Sequence, residues 1–225
     1  MIFALQARPS DSPYVDHIWR AQSQEAGSFY SIAACHWEVV VTTRCGHSTV
    51  TVRGPETKAT RLDVRAGGEW IGIRFRLGTC LPDLPVSDLV DAAVHLPDAG
   101  SRSFFFRGEA WRVPDFENAD AFVGRLVRDG LLVREPVVDA ALDGRLDGVS
   151  PRTAQRRFVQ TTGLTQGTVR QIERARRAMS LLQDGVSILD VVHETGYYDQ
   201  PHLTRALKHF LGQTPAQIAG THRSG

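Results

Sequence analysis

No segment constrains the fold of this chain more than Gly196-Tyr-Tyr-Asp-Gln-Pro-His-Leu-Thr-Arg-Ala-Leu-Lys-His-Phe210, which reads as a sharp turn feeding a two-faced helix. Leu203, Leu207 and Phe210 recur at i, i+4 and i+7 and form one apolar stripe, while Gln200, His202, Thr204, Arg205, Lys208 and His209 lie mostly off it. Proline is tolerated only in the first turn of a helix, so Pro201 sets the start at Asp199 or Gln200. Upstream, Ser187-Ile-Leu-Asp-Val-Val-His-Glu-Thr195 opens with an N-cap serine and aligns Ile188, Val191 and Val192. Gly196 can take the left-handed conformation that ends this helix abruptly, which gives helix, short turn, helix. An ordinary helical hairpin fits this segment too.

A second unit of the same plan argues against that hairpin. Ser150-Pro-Arg-Thr-Ala-Gln-Arg-Arg-Phe158 has an N-cap serine, proline at the first helical position, and Ala154 and Phe158 one turn apart. Its free face carries Arg152, Gln155 and Arg156, with Arg157 nearby, and Thr161-Thr-Gly163 stops it. Arginine and glutamine offer the forked donors and acceptors that match guanine and adenine edges in a major groove. Between the units, Thr168 to Gln183 places Ile172, Ala175, Met179 and Leu182 on one stripe and Arg170, Arg174 and Arg177 away from it. Two polar-faced helices on such a rod suit successive major grooves if they lie about one helical turn, ~34 Å, apart. The first unit's leading helix, Val137 to Leu142, is short, and Asp143-Gly-Arg-Leu-Asp-Gly-Val149 follows it without a clear tight turn.

On these motifs residues 137–219 resemble the DNA-binding domain of the AraC/XylS family of transcriptional regulators. The likeness rests on Ser150–Phe158 with its following Thr-Gly-Leu, Ile172-Glu-Arg-Ala-Arg176, the turn at Gly196 and the closing Phe210-Leu-Gly-Gln-Thr-Pro215. The resemblance implies base contacts from Arg152, Gln155 and Arg156 on the first reading helix and from Gln200, His202, Thr204 and Arg205 on the second, with Lys208 holding phosphate. Implied partners are double-stranded DNA, RNA polymerase, a small-molecule effector and a second copy of the chain; no cofactor and no enzymatic activity are implied.

Charge divides the same way. Residues 1–145 carry 16 Lys and Arg against 19 Asp and Glu, and residues 146–225 carry 10 against 6, so the phosphate-seeking excess lies in the C-terminal part. No apolar run approaches the ~20 residues of a membrane span, and no basic patch leads a hydrophobic segment at the amino terminus, which suits the cytoplasm. Three cysteines, Cys35, Cys45 and Cys80, without paired spacing, do not read as a disulfide framework.

Residues 1–115 change texture to short β-rich runs. Trp37–Thr43 and Ser48–Arg53 flank a hairpin turn at Arg44-Cys-Gly-His47, and Glu69–Leu77 alternates with Ile71, Ile73, Phe75 and Leu77 on one side. This part resembles the cupin-like sensory barrel that often precedes such DNA-binding domains. Its candidate ligand-binding residues are His36, Trp37, Glu38, Trp70 and Arg74. The competing function is a metal- or thiol-dependent sensor, or a DNA alkyl-repair protein, using Cys35, Cys45 and Cys80. Asp115 to Val133 reads as an amphipathic helix that packs on the barrel or on a copy of itself. The expected fold is α+β in two domains: a small cupin-like barrel over 1–115, a connecting helix over 116–136, and an all-α double helix-turn-helix over 137–225.

Overall fold

Cys45 and Gly46 both have positive φ, 51° and 78°, and this two-residue turn joins the expected hairpin strands in full register from Glu38↔Arg53 to Arg44↔His47. In the computed structural model, which describes residues 3–145 and 148–221, the strands are β1 (Phe3–Arg8), β2 (Val15–Ser23), β3 (Gly27–Ser31), β4 (Glu38–Arg44), β5 (His47–Arg53), β6 (Thr60–Val64), β7 (Glu69–Phe75), β8 (Thr79–Cys80), β9 (Ala93–Leu96), β10 (Asp98–Gly100), β11 (Ser103–Phe106), β12 (Glu109–Arg112) and β13 (Val133–Arg134). The helices are α1 (Ala119–Arg128), α2 (Pro136–Leu142), α3 (Pro151–Thr162), α4 (Gln166–Gln183), α5 (Ile188–Thr195), α6 (Gln200–Leu211) and α7 (Pro215–Thr221). A 3-10 turn spans Val86–Leu89.

The chain divides into two compact units that interleave along the sequence. The first holds Met1–Gly27, His36–Pro55 and Asp63–Thr165; the second holds Ser28–Cys35, Glu56–Leu62 and Gln166–Gly225. The β-rich unit is built on a six-stranded sheet in the order β1-β2-β7-β4-β5-β9. The barrel expected from the sequence does not close: this sheet keeps β1 and β9 as edges, and the remaining pairings form separate small sheets. One face of the sheet buries Ile18, Val39, Val41, Val50, Val52, Ile73 and Phe75 against Phe104, Trp111 and α1.

The helix read over Asp115–Val133 is shorter, Ala119–Arg128. Asp115 Oδ1 accepts from the amides of Glu117 and Asn118, forming a turn before the helix begins. At the other end Gly130, φ 70°, turns the chain, and Val133 and Arg134 pair with β8. Ala119, Val123 and Leu126 are buried in the core of the β-rich unit, with Phe122 edge-on to Trp111 at 5.9 Å, so α1 belongs to that core. Also in this unit, α3 packs on α2, on the 3-10 turn and on β8, burying Ala154 and Phe158.

The second unit centres on α4, whose Val169, Ile172, Ala175, Ala178 and Leu182 are buried. Against it pack α5, α6 and α7 through Val191, Val192, Leu203, Leu207, Leu211 and Ile218. Two N-terminal segments complete this unit. The amide of Ala33 donates to the carbonyl of Phe210 at 2.8 Å, and that of Ala59 to His209 at 2.9 Å, so two carbonyls left open at the end of α6 find partners far away in sequence. Arg176 donates to the carbonyl of Ala33 at 3.2 Å.

Candidate nucleic-acid interface

The two helices expected to read bases are both formed and both capped. Ser150 Oγ accepts from the amide of Thr153 at 3.2 Å, Pro151 occupies the first turn, and Gly163, φ 72°, ends α3 in the left-handed conformation. For α6, Asp199 Oδ1 accepts from the amide of His202 at 2.7 Å, Pro201 again falls within the first turn, and Gly212, φ 74°, closes the end. The short α5 starts at an N-cap Ser187 and stops at Gly196, φ 69°. Thus helix, turn, helix is realised at α5–α6 as the pattern predicts. The leading helix of the first unit is α2, capped by Glu135; Leu146 and Asp147, between it and α3, lie outside the described residues.

On α3, Arg152, Gln155, Arg156 and Arg157 are exposed while Ala154 and Phe158 are buried. On α6, Gln200, Arg205 and Lys208 are exposed, His202 and Thr204 are half-buried, and Leu203, Leu207 and Phe210 are buried. Among the described residues the side chains of Arg152, Gln155, Arg156, Arg205 and Lys208 make no ion pair or hydrogen bond. Many arginines of the β-rich unit are by contrast committed, as in Arg8–Asp120, Arg107–Asp83, Arg125–Glu109 and Arg134–Asp139. The free donors on α3 and α6 therefore have their full hydrogen-bonding capacity for an outside acceptor. Thr204 differs: its hydroxyl donates to the carbonyl of Gln200 at 2.9 Å, leaving it only as an acceptor toward a ligand.

Three features around α6 escaped the sequence pattern. Arg174, read as part of the solvated face of α4, is half-buried with its guanidinium 4.2 Å from the centre of the Tyr197 ring. Tyr197 is buried, and burial raises its phenol pKa, while Arg174 opposes the shift. Its neighbour Tyr198, in the turn before α6, is 90% exposed.

The residues read as ligand-binding do not gather at one place. Trp37 lies in the core, stacked on Phe75 at 4.0 Å with its indole N–H donating to the carbonyl of Thr79 at 2.6 Å. Glu38, Trp70 and Arg74 occupy the opposite face of the sheet. There Glu38 accepts from Trp19 Nε1 at 3.1 Å and lies 3.5 Å from Arg53 and 3.6 Å from Arg74, one carboxylate between two guanidinium groups. His36 is half-buried and precedes β4.

Nor do the cysteines form a set. Cys35 is buried, and desolvation together with Glu173 pushes its thiol up to about 12. Cys80 is raised by burial and by Glu135, and Cys45 is exposed at the tip of the β4–β5 hairpin. Two of the three are thus held as thiols, the opposite of an activated thiolate. No three His, Cys, Asp or Glu side chains among the described residues come together as a metal site. No helix among them is long and apolar enough to cross a membrane.

Known proteins bear on the helical part. A family model described as a helix-turn-helix domain matches residues 146–220. Over 88 residues the chain is 35% identical to the HTH-type transcriptional regulator RipA of Corynebacterium glutamicum. That stretch covers 38% of this chain and 27% of the relative, so the alignment spans about a quarter of RipA. Among solved structures, ToxT from Vibrio cholerae O395, bound to (E)-4-(8-methylnaphthalen-1-yl)but-3-enoic acid, aligns over 99% of this chain and 100% of its own, at 8% identity and a TM-score of 0.42. A second ToxT structure from Vibrio cholerae aligns over 98% of each chain at 9% identity and a TM-score of 0.39. Likeness that distant transfers nothing to this chain. The helix-turn-helix match, in contrast, falls on α3 through α7 and on the motifs that carried the sequence resemblance. Residues 146–220 of this chain are thus similar to a helix-turn-helix domain and, in part, to a transcriptional regulator that carries one.

Proposed function

We propose that this protein is a sequence-specific, double-strand DNA-binding transcriptional regulator. The observation that carries the reading is α6: a helix capped at both ends, buried along Leu203, Leu207 and Phe210, with Arg205 and Lys208 exposed and unpaired on its other side. That division suits a helix that lies in a major groove and is held from behind by its own core. In this mechanism α3 and α6 each present a polar edge to bases. Arg152, Gln155 and Arg156 read from α3, and Gln200, His202, Thr204 and Arg205 from α6. Lys208 neutralises phosphate, which makes affinity fall with salt.

The same reading gives the β-rich unit the regulatory input. A small-molecule effector bound there biases DNA binding, the chain acts as a homodimer in the cytoplasm, and the bound protein acts on RNA polymerase without chemistry of its own. Selection of bound fragments from random duplex DNA tests the central claim. A shared sequence motif is the expected outcome, and recovery of fragments with no common sequence at ordinary salt overturns it.

A further inference from the structure

The turn between α5 and α6 is held from outside by α4. Arg174 stacks over Tyr197 at 4.2 Å and reaches the carbonyl of Gly196 with Nη1 at 3.5 Å. Tyr197, buried, then meets the imidazole of His202 edge-on, with ring centres 5.1 Å apart and planes at 88°. The backbone of His202 is fixed independently by the Asp199 cap. A side chain near the start of a groove-binding helix is well placed to touch base edges, and holding its rotamer in advance removes the ordering cost of that contact. On α6, His202 is held edge-on against an aromatic ring, whereas among the described residues Arg205 and Lys208 make no ion pair or hydrogen bond.

We propose that Tyr197 and Arg174 are positioning residues for His202, and that this stack, running from α4 through the turn into α6, makes His202 the specificity-determining contact of the second helix-turn-helix. The inference rests on the DNA-reading function proposed above. Arg174 also acts on the Tyr197 hydroxyl, opposing the rise that burial gives its pKa, so Tyr197→Phe separates the part played by the ring from that of the hydroxyl.

The test uses the full chain and a duplex selected by the wild-type protein, with every base pair of the site varied singly. His202→Ala is expected to flatten discrimination at one base pair by about ten-fold while leaving the others unchanged. Tyr197→Leu and Arg174→Met are expected to flatten the same base pair, and Tyr197→Phe to restore it. Arg174 is half-buried where Tyr197 is buried, so Arg174→Met keeps the test open if Tyr197→Leu does not fold. Uniform loss at every position, random DNA included, in both Tyr197→Leu and Arg174→Met overturns the stack as a positioning device. So does unaltered discrimination in Tyr197→Leu and Arg174→Met, and unaltered discrimination in His202→Ala overturns His202 as the specificity contact. A wild-type protein that selects no sequence overturns the DNA-reading function itself, a result distinct from either of these.

Discussion

α3 and α6 have nearly the same local design, yet they belong to different compact units and are braced by different parts of the chain. Each has a polar N-cap, a proline in its first turn and a left-handed glycine at its end. Beyond that they diverge. At the end of α3, a Cβ on Gly163 would stand 2.5 Å from Val90 Cγ2 and 3.1 Å from Ser87 Cα, so the 3-10 turn region presses on the helix terminus. At the end of α6, a Cβ on Gly212 would stand 2.4 Å from the Tyr30 ring, and Ala33 and Ala59 supply amides to its last turn. Both braces come from the first 90 residues, so the helix-turn-helix region is not an independent appendage; its termini are finished by the N-terminal half.

The largest effects should come from the bracing glycines. An L residue in the left-handed region costs ~1–2 kcal/mol, and forced overpacking adds ~1–3 kcal/mol where the neighbour cannot move. Ser87 Cα and the Val86 carbonyl are backbone, whereas the Tyr30 ring is 43% exposed and can swing aside. Gly163→Ala is therefore expected to cost ~3 kcal/mol and Gly212→Ala ~2 kcal/mol. Gly196→Ala, with nothing within 4 Å of its Cβ, should cost only the ~1 kcal/mol of conformation. Urea denaturation of the three variants checks the order, and equal costs would show that neither brace is tight.

Next come the bases. Arg156→Ala and Arg205→Ala should each weaken binding to the selected site by ~1–3 kcal/mol and relax discrimination at different base pairs. Titration against single-base variants of the site separates the two helices. Loss from Arg205→Ala alone would make α6 the sole reader, and equal loss on random DNA would reduce both residues to phosphate contacts.

Smaller again is the difference between caps. Asp199 is a charged acceptor at 2.7 Å on the positive end of α6, and Ser150 a neutral one at 3.2 Å on α3. Asp199→Ala is expected to lower stability by ~1–2 kcal/mol and Ser150→Ala by ~0.5–1 kcal/mol, read as urea midpoints. A larger cost for Ser150 would mean that α3 depends on local capping more than on its packing.

What the residues revealed in advance was local. The Cys45-Gly46 hairpin, the stops at Gly163 and Gly196, and the start of α6 around Pro201 all follow from conformations that few neighbouring residues decide. What stayed hidden was long-range. Nothing near Ala33 or Ala59 signals that their amides serve α6. The helical period of Ala119, Phe122, Val123, Leu126 and Val127 gives no sign that Gly130 ends the helix and that β13 follows, paired with β8. Arg174 sits at a solvent-facing spacing on α4 and is drawn in only because the α5–α6 turn offers it an aromatic face. Of the candidate interface, the exposure of Arg152, Gln155, Arg156, Gln200, Arg205 and Lys208 was legible because helical period alone places them, while the packing of Arg174 and Tyr197 behind His202 was not. The sheet's failure to close depends on which strands become edges, and alternation within a strand carries no such information.

The last and smallest distinction is alkaline. Cys35, in a segment that braces α6, has its thiol raised from 9.0, ordinary for the group, to about 12, chiefly by desolvation. Because the folded value lies above the unfolded one, the contribution to stability is whole below about pH 9 and is lost as pH climbs toward 12, where the unfolded chain ionises first. The brace on α3 involves β8, whose Cys80 is shifted in the same direction but is less buried. Wild-type urea midpoints should therefore fall between pH 8 and pH 10.5 more steeply than those of Cys35→Ala, with Cys80→Ala intermediate. Parallel slopes for wild type and Cys35→Ala would mean that the segment around Cys35 opens before the helices do, and that the brace on α6 is the weaker of the two.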